Sequence, residues 1–127
     1  MLIGRMIKNE REASGKTRKE VVDKLKISEP YLFAIENGKK QPPIPKDKDG
    51  CLDIKGSLYY RILVDGMDKS PGEAESLILD ALLQELGRSH PTIRLLMRDE
   101  LTGRVSSADR RAILALYEGL KLVERKN

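Results

Sequence analysis

Apolar residues recur along the first forty positions of this chain in three short runs separated by polar breaks. Leu2, Ile3, Met6 and Ile7 form a stripe at helical spacing, and Ser14-Gly15-Lys16 interrupts it. Thr17 followed by Glu20 is a capping box, so a second helix starts there and turns Val21, Val22 and Leu25 to one face. Lys26-Ile27 leaves room for a turn only. Ser28 is an N-cap, Pro30 is tolerated in a first turn because its missing N–H has no partner there, and Leu32 and Ile35 point inward. Asn37-Gly38 stops this third helix, and Lys39 and Lys40 sit beside its C-terminus, where cations are favoured. The pattern predicts two short helices joined by a tight turn, with the outer face of the second left for a partner.

Beyond this point the punctuation changes. Residues 41–50 hold Pro42, Pro43 and Pro45 and an Asp-Gly pair, which predicts a linker or loop reaching Gly56, with a short extended piece over 51–54. A short helix over 57–64 carries Leu58, Ile62 and Leu63 and completes the N-terminal core. Ser70 with Glu73 is a second capping box with Pro71 at the first helical position, opening a helix to Leu86 that Gly87 ends. That helix is apolar over most of its girth, so more than one side must be covered. Further helices are predicted over 91–101 and after Ser106 or Ser107, where Ile113, Leu116, Tyr117, Leu120 and Val123 recur at helical steps. The fold class is all-α, in two parts: 1–67, containing the loop 41–56, and a helical C-terminal region, 68–127. Its apolar surplus predicts self-association as a dimer. The alternative is a monomer in which this half packs back on the first.

The frame Ile3-Gly4-Arg5-x-Ile7, Arg11, Gly15, Thr17, Glu20, Val21, Leu25, Ile27-Ser28, Tyr31-Leu32, Ile35-Glu36-x-Gly38 resembles the phage-repressor (Cro/CI, XRE-like) helix-turn-helix family. It covers roughly the first third of the chain. The resemblance implies a lambda-repressor-like domain that lays its third helix in the major groove of duplex DNA, and a cytoplasmic protein of bacterial or phage origin. It implies a structural ion pair between Arg11 and Glu36. It also implies that Arg18 touches phosphate or base edges, that Ser28, Glu29, Pro30, Tyr31 and Ala34 form the reading face, and that Lys39 and Lys40 contact the backbone. The chain departs from the family at three places. Lys26 stands where glycine is usual, which places a side chain at a position of common positive φ. The reading face has no Gln, Asn, Arg or Lys for bidentate base contacts. Phe33 stands where small or polar residues are usual.

Charge supports the same half. Residues 1–48 carry 12 Lys/Arg against 7 Asp/Glu, and residues 49–127 carry 12 against 13, so a net +5 lies on the helix-turn-helix part and −1 on the rest. Aromatic content of 4% speaks against single-strand binding by stacked bases. The lone Cys51 excludes an internal disulfide and a cysteine-based zinc site. No apolar run approaches the roughly 20 residues of a membrane span, and no signal-peptide pattern opens the chain.

Other motifs dissolve on inspection. Gly15-Lys16-Thr17 resembles the end of a phosphate-binding loop, but the required earlier glycine is Glu10. Aligning Gly50 with the invariant glycine of a calcium loop puts Pro45 and Gly56 at its essential carboxylate positions. His90 is the only histidine, and no nucleophile–base set or carboxylate pair accompanies it. The chain therefore reads as non-enzymatic and free of metal or cofactor. It is expected to be a dimeric regulator of transcription on duplex DNA. The alternative is a protein-binding module, of antitoxin or phage-modulator type, using its apolar helices and Phe33.

Overall fold

The computed structural model describes residues 2–50 and 52–89, with the side chains of 86, 87 and 89 left out. Helix α1 spans Leu2–Ala13, α2 Arg18–Val22 and α3 Glu29–Glu36. After a long loop come a 3-10 turn, Ile54–Gly56, and α4, Leu58–Arg61, which widens into a π-helical stretch, Ile62–Gly66. Helix α5 spans Pro71–Ser89. The described residues contain helices and one isolated β-bridge, and no strand.

Each of the next helix starts is written in a hydroxyl. Thr17 Oγ1 accepts from the Glu20 N–H at 3.2 Å while Glu20 Oε1 accepts from the Thr17 N–H at 3.3 Å, the reciprocal pair of a capping box. Ser28 Oγ accepts from Tyr31 N–H, Ser57 Oγ from Tyr60 N–H and Ser70 Oγ from Glu73 N–H, each at 3.2 Å. Such a cap contributes about 1 kcal/mol.

Helices α1, α2 and α3 close on one core with Ile3, Ile7, Val21, Leu32 and Ile35 almost wholly buried. Tyr59, Ile62 and Leu63 cover it from α4 and the π-helical stretch. Helix α5 then adds Ala74, Ile78, Leu79, Ala81 and Leu83 to the same cluster, packing on α1, α4 and both short turns. The core thus runs across position 67, where the sequence suggests a boundary. A helix apolar on most sides is satisfied here by lying between α1 and α4. It also runs through Gly87 to Ser89 instead of ending at Leu86. One interior glycine costs only about 1 kcal/mol, which a packed 19-residue helix outweighs. The helices expected over 91–101 and after Ser106 or Ser107 lie outside the described residues.

The proline-rich stretch is a pinned loop more than a spacer. Asp53 N–H donates to the Pro45 carbonyl at 2.8 Å, and Lys46 and Leu52 form the bridge. Ile44 and Leu52 pack against the core, and Ile54 is buried. The extended piece expected over 51–54 is reduced to this single bridge, because Asp53 turns the chain into the 3-10 turn by accepting from Gly56 N–H.

Surface ion pairs fasten the connection before α5. Asp68, at φ 58°, receives Lys16 Nζ at 3.0 Å and Lys24 Nζ at 3.1 Å, and Lys69 Nζ reaches Glu10 Oε2 at 3.0 Å. The hydrogen bond from Lys16, then that from Lys24, lowers the Asp68 pKa below its ordinary 3.8. The hydrogen bond to Glu10 raises that of Lys69. A lowered carboxyl pKa stabilises the fold above the unfolded-state value, and this contribution is lost as pH falls through the native one. The melting-temperature gap between the wild type and Asp68→Asn is therefore expected to be widest above about pH 4 and to close in stronger acid. Calorimetry across that range checks it, and a gap independent of pH would remove the ion pair from the account.

Candidate nucleic-acid interface

Helix α3 is held from beneath by Leu32, Ile35 and Glu36, all buried. Its opposite side is open. Ser28, Glu29 and Pro30 are exposed, and Tyr31 and Ala34 are half-buried. Asn37 and Gly38 end the helix, with Gly38 at φ 75°, a conformation that glycine takes without a Cβ penalty. The N–H groups of Lys39 and Lys40 both donate to the Ala34 carbonyl, at 2.9 and 3.1 Å. Both lysines are thereby anchored by the backbone beside the last turn, and both are exposed. Ser28, Glu29, Pro30, Lys39 and Lys40 thus all lie on accessible surface, at the two ends of α3.

Tyr31 only partly shares it. The ring packs against the core, close enough to Tyr59 to help raise that hydroxyl. Burial is the main cause that pushes Tyr59 up to about 12, with Tyr31 and Glu85 adding to it. Tyr31 is thus in part a packing residue.

Beneath the surface lies a charged knot. Arg11 Nε donates to Glu36 Oε2 at 2.8 Å and Arg11 Nη2 to Oε1 at 3.2 Å, while Nη1 donates to the Lys16 carbonyl at 2.9 Å. Glu36 has no exposed side-chain surface. A carboxylate so placed needs its charge and lone pairs met, and a fork-on-fork arginine does both. Arg18 completes the arrangement: its Nε donates to Glu36 Oε1 at 3.1 Å, and its guanidinium lies 4.7 Å from the centre of the Phe33 ring. Arg18 is therefore no isolated surface cation. It is tied to the same carboxylate as Arg11 and stacked on α3.

The pairing of Arg18 with Phe33 and Glu36 is invisible in sequence. Arg18 lies on α2 and its two partners lie on α3, and no local motif announces the contact. Lys26 also departs from expectation. Asp68 is the only non-glycine residue at positive φ among the described residues, so Lys26 carries no left-handed penalty. The chain instead turns tightly after α2, with Leu25 N–H donating to the Val22 carbonyl at 2.9 Å.

One further close approach fixes the geometry. Gly4 of α1 lies against the end of α3, and a Cβ there would overlap the Ile35 carbonyl oxygen. Among the described residues no helix is long and apolar enough to cross a membrane, and no group of three or more His, Cys, Asp or Glu is placed to hold a metal ion. No curated protein and no solved structure matches the chain. The model of a helix-turn-helix domain family does match residues 6–42, the segment that runs from α1 through α2 and α3 to the start of the proline-rich loop.

Proposed function

We propose that this protein is a transcriptional regulator that binds duplex DNA as a dimer, of the phage-repressor type among helix-turn-helix proteins. The observation that carries the reading is the placement of α3: buried on one side, open on the other, and followed at once by two exposed lysines. An α-helix presented in this way fits the width of the major groove. Lys39 and Lys40 would bind phosphates and set the register, and Ser28, Glu29, Pro30, Tyr31 and Ala34 would face the bases, with DNA shape contributing. A pair of such domains on half-sites one helical turn apart would add two weak interactions. Duplex DNA as the partner is also what places the protein in the cytoplasm, and no step of this function calls for catalysis.

Selection from a random duplex library, with enriched pools retested at low and near-physiological salt, tests the reading. A two-fold-symmetric site with a steep salt dependence is the expected result. Lys39→Ala should weaken binding to every sequence alike and reduce the salt slope by about one. Pools that never enrich, with binding that vanishes as salt rises, would sink it. Sedimentation of a monomer at high micromolar concentration would remove the dimer.

One observation favours a second reading, a protein-binding module. Phe33 is 45% exposed, the one large apolar side chain so placed among the described residues. A stoichiometric protein partner lost on Phe33→Ala, with no DNA selected, would support it.

A further inference from the structure

The outer face of α3 has a gap in its chemistry. None of Ser28, Glu29, Pro30, Tyr31 and Ala34 can offer two parallel N–H donors to a base edge, the arrangement that discriminates best in the major groove. An exposed fork of that kind, Arg18, stands at the start of α2. Arg18 commits its Nε to Glu36, and no described residue accepts from its two Nη groups. Its side chain keeps 31% of its surface exposed. The plane is held on one side by the Phe33 ring and at its inner edge by a carboxylate with no exposed surface. Such an arginine has surrendered its rotamer freedom during folding, so it would meet a partner with its free edge already aimed.

We propose that Arg18 is the base-reading arginine of this protein, and that Phe33 and Glu36 form the clamp that presents its paired Nη donors to the O6 and N7 of a guanine. The inference deepens the duplex-DNA reading and rests on it. It also gives Phe33 a role without a protein partner: an exposed ring on α3 is what an arginine projecting from α2 needs in order to reach the groove beside α3. A phenyl face attracts the guanidinium more strongly once water is excluded, so the clamp tightens as DNA covers it. Arg11 is necessary to this arrangement. With Oε2 and part of Oε1 held by Arg11, Glu36 is fixed in place as the anchor for Arg18.

The test uses the full chain in three forms: wild type, Arg18→Lys, which keeps the charge and loses the fork, and Phe33→Ala, which keeps Arg18 and loses the platform. Each is put through selection from the same random duplex library, after thermal melting confirms a folded protein. Wild type should demand guanine at one position of each half-site, with other bases bound about 10- to 100-fold more weakly. Both variants should lose that preference while keeping preferences elsewhere in the site. In the wild type, 7-deazaguanine at that position should reproduce the loss, and in the variants it should change nothing further. A guanine preference unaltered in Phe33→Ala overturns the clamp. A loss spread evenly over all sequences in Arg18→Lys overturns base reading and makes Arg18 a phosphate contact. Failure of the wild type to select any duplex shows itself before the variants are compared, and it overturns the DNA reading together with this inference.

Discussion

Glu36→Ala is expected to destabilise the protein by about 3–5 kcal/mol, because it strands a buried guanidinium. The wild-type carboxylate is wholly buried and receives Arg11 twice and Arg18 once. Removing it leaves Arg11, with only 10% of its side chain exposed, facing the Lys16 carbonyl and the half-exposed carboxylate of Glu12 at 3.9 Å. Domains of this size are stable by roughly 5–15 kcal/mol in total, so the variant should be marginal. Urea unfolding measures it, as a lower midpoint at an unchanged slope. A second variant separates the pair's net value from the cost of breaking it. Replacing Arg11 and Glu36 together by Met and Leu should recover much of the loss, since apolar packing often replaces a buried ion pair without penalty. A double variant as unstable as Glu36→Ala alone would show that Arg18 also depends on the carboxylate for stability.

Gly4→Ala is expected to cost about 3 kcal/mol, the upper end of the overpacking range. The new methyl group meets the Ile35 carbonyl oxygen, a backbone atom at the end of α3 that cannot rotate aside. Alanine would otherwise favour the helix by about 1 kcal/mol, so the expected loss is what remains after that gain. Gly72→Ala is the control. Gly72 lies in the first turn of α5, and a Cβ added to it would meet nothing within 4 Å, so the same change should be neutral or stabilise by a few tenths of a kcal/mol. Thermal melting of the two side by side decides the matter, and equal shifts would remove the close approach of α1 to α3. The effect should also reach function, because Gly4 sets the depth at which α1 supports the last turn of α3.

These two sites show how unevenly the chain discloses itself. Helix starts are local: a hydroxyl accepts from an N–H three residues later, so Thr17, Ser28 and Ser70 could be recognised with no knowledge of the fold. The apolar stripes of α1, α2 and α3 are equally local, since a period of 3.6 is a property of one helix. Gly4 stood in the frame of the resemblance, yet its reason, a carbonyl some thirty residues away, belongs to the packing of two helices.

By itself, then, the sequence determined the helices α1 to α5, the turn between α2 and α3, the basic balance of the N-terminal part and the pairing of Arg11 with Glu36 that the family frame implies. Tertiary structure decided what joins what. It placed α5 in the same core as α1, where sequence suggested a separate unit, because an apolar girth says that a helix must be covered and not by which neighbour. It pinned the proline-rich loop through Ile44, Leu52 and Ile54. It turned Tyr31 partly inward and gave Arg18 two partners, Phe33 and Glu36, from another helix. The physical reason is common to all four: capping and periodicity act within one helical turn, whereas burial, stacking and the pairing of buried charges depend on where separate helices come to rest.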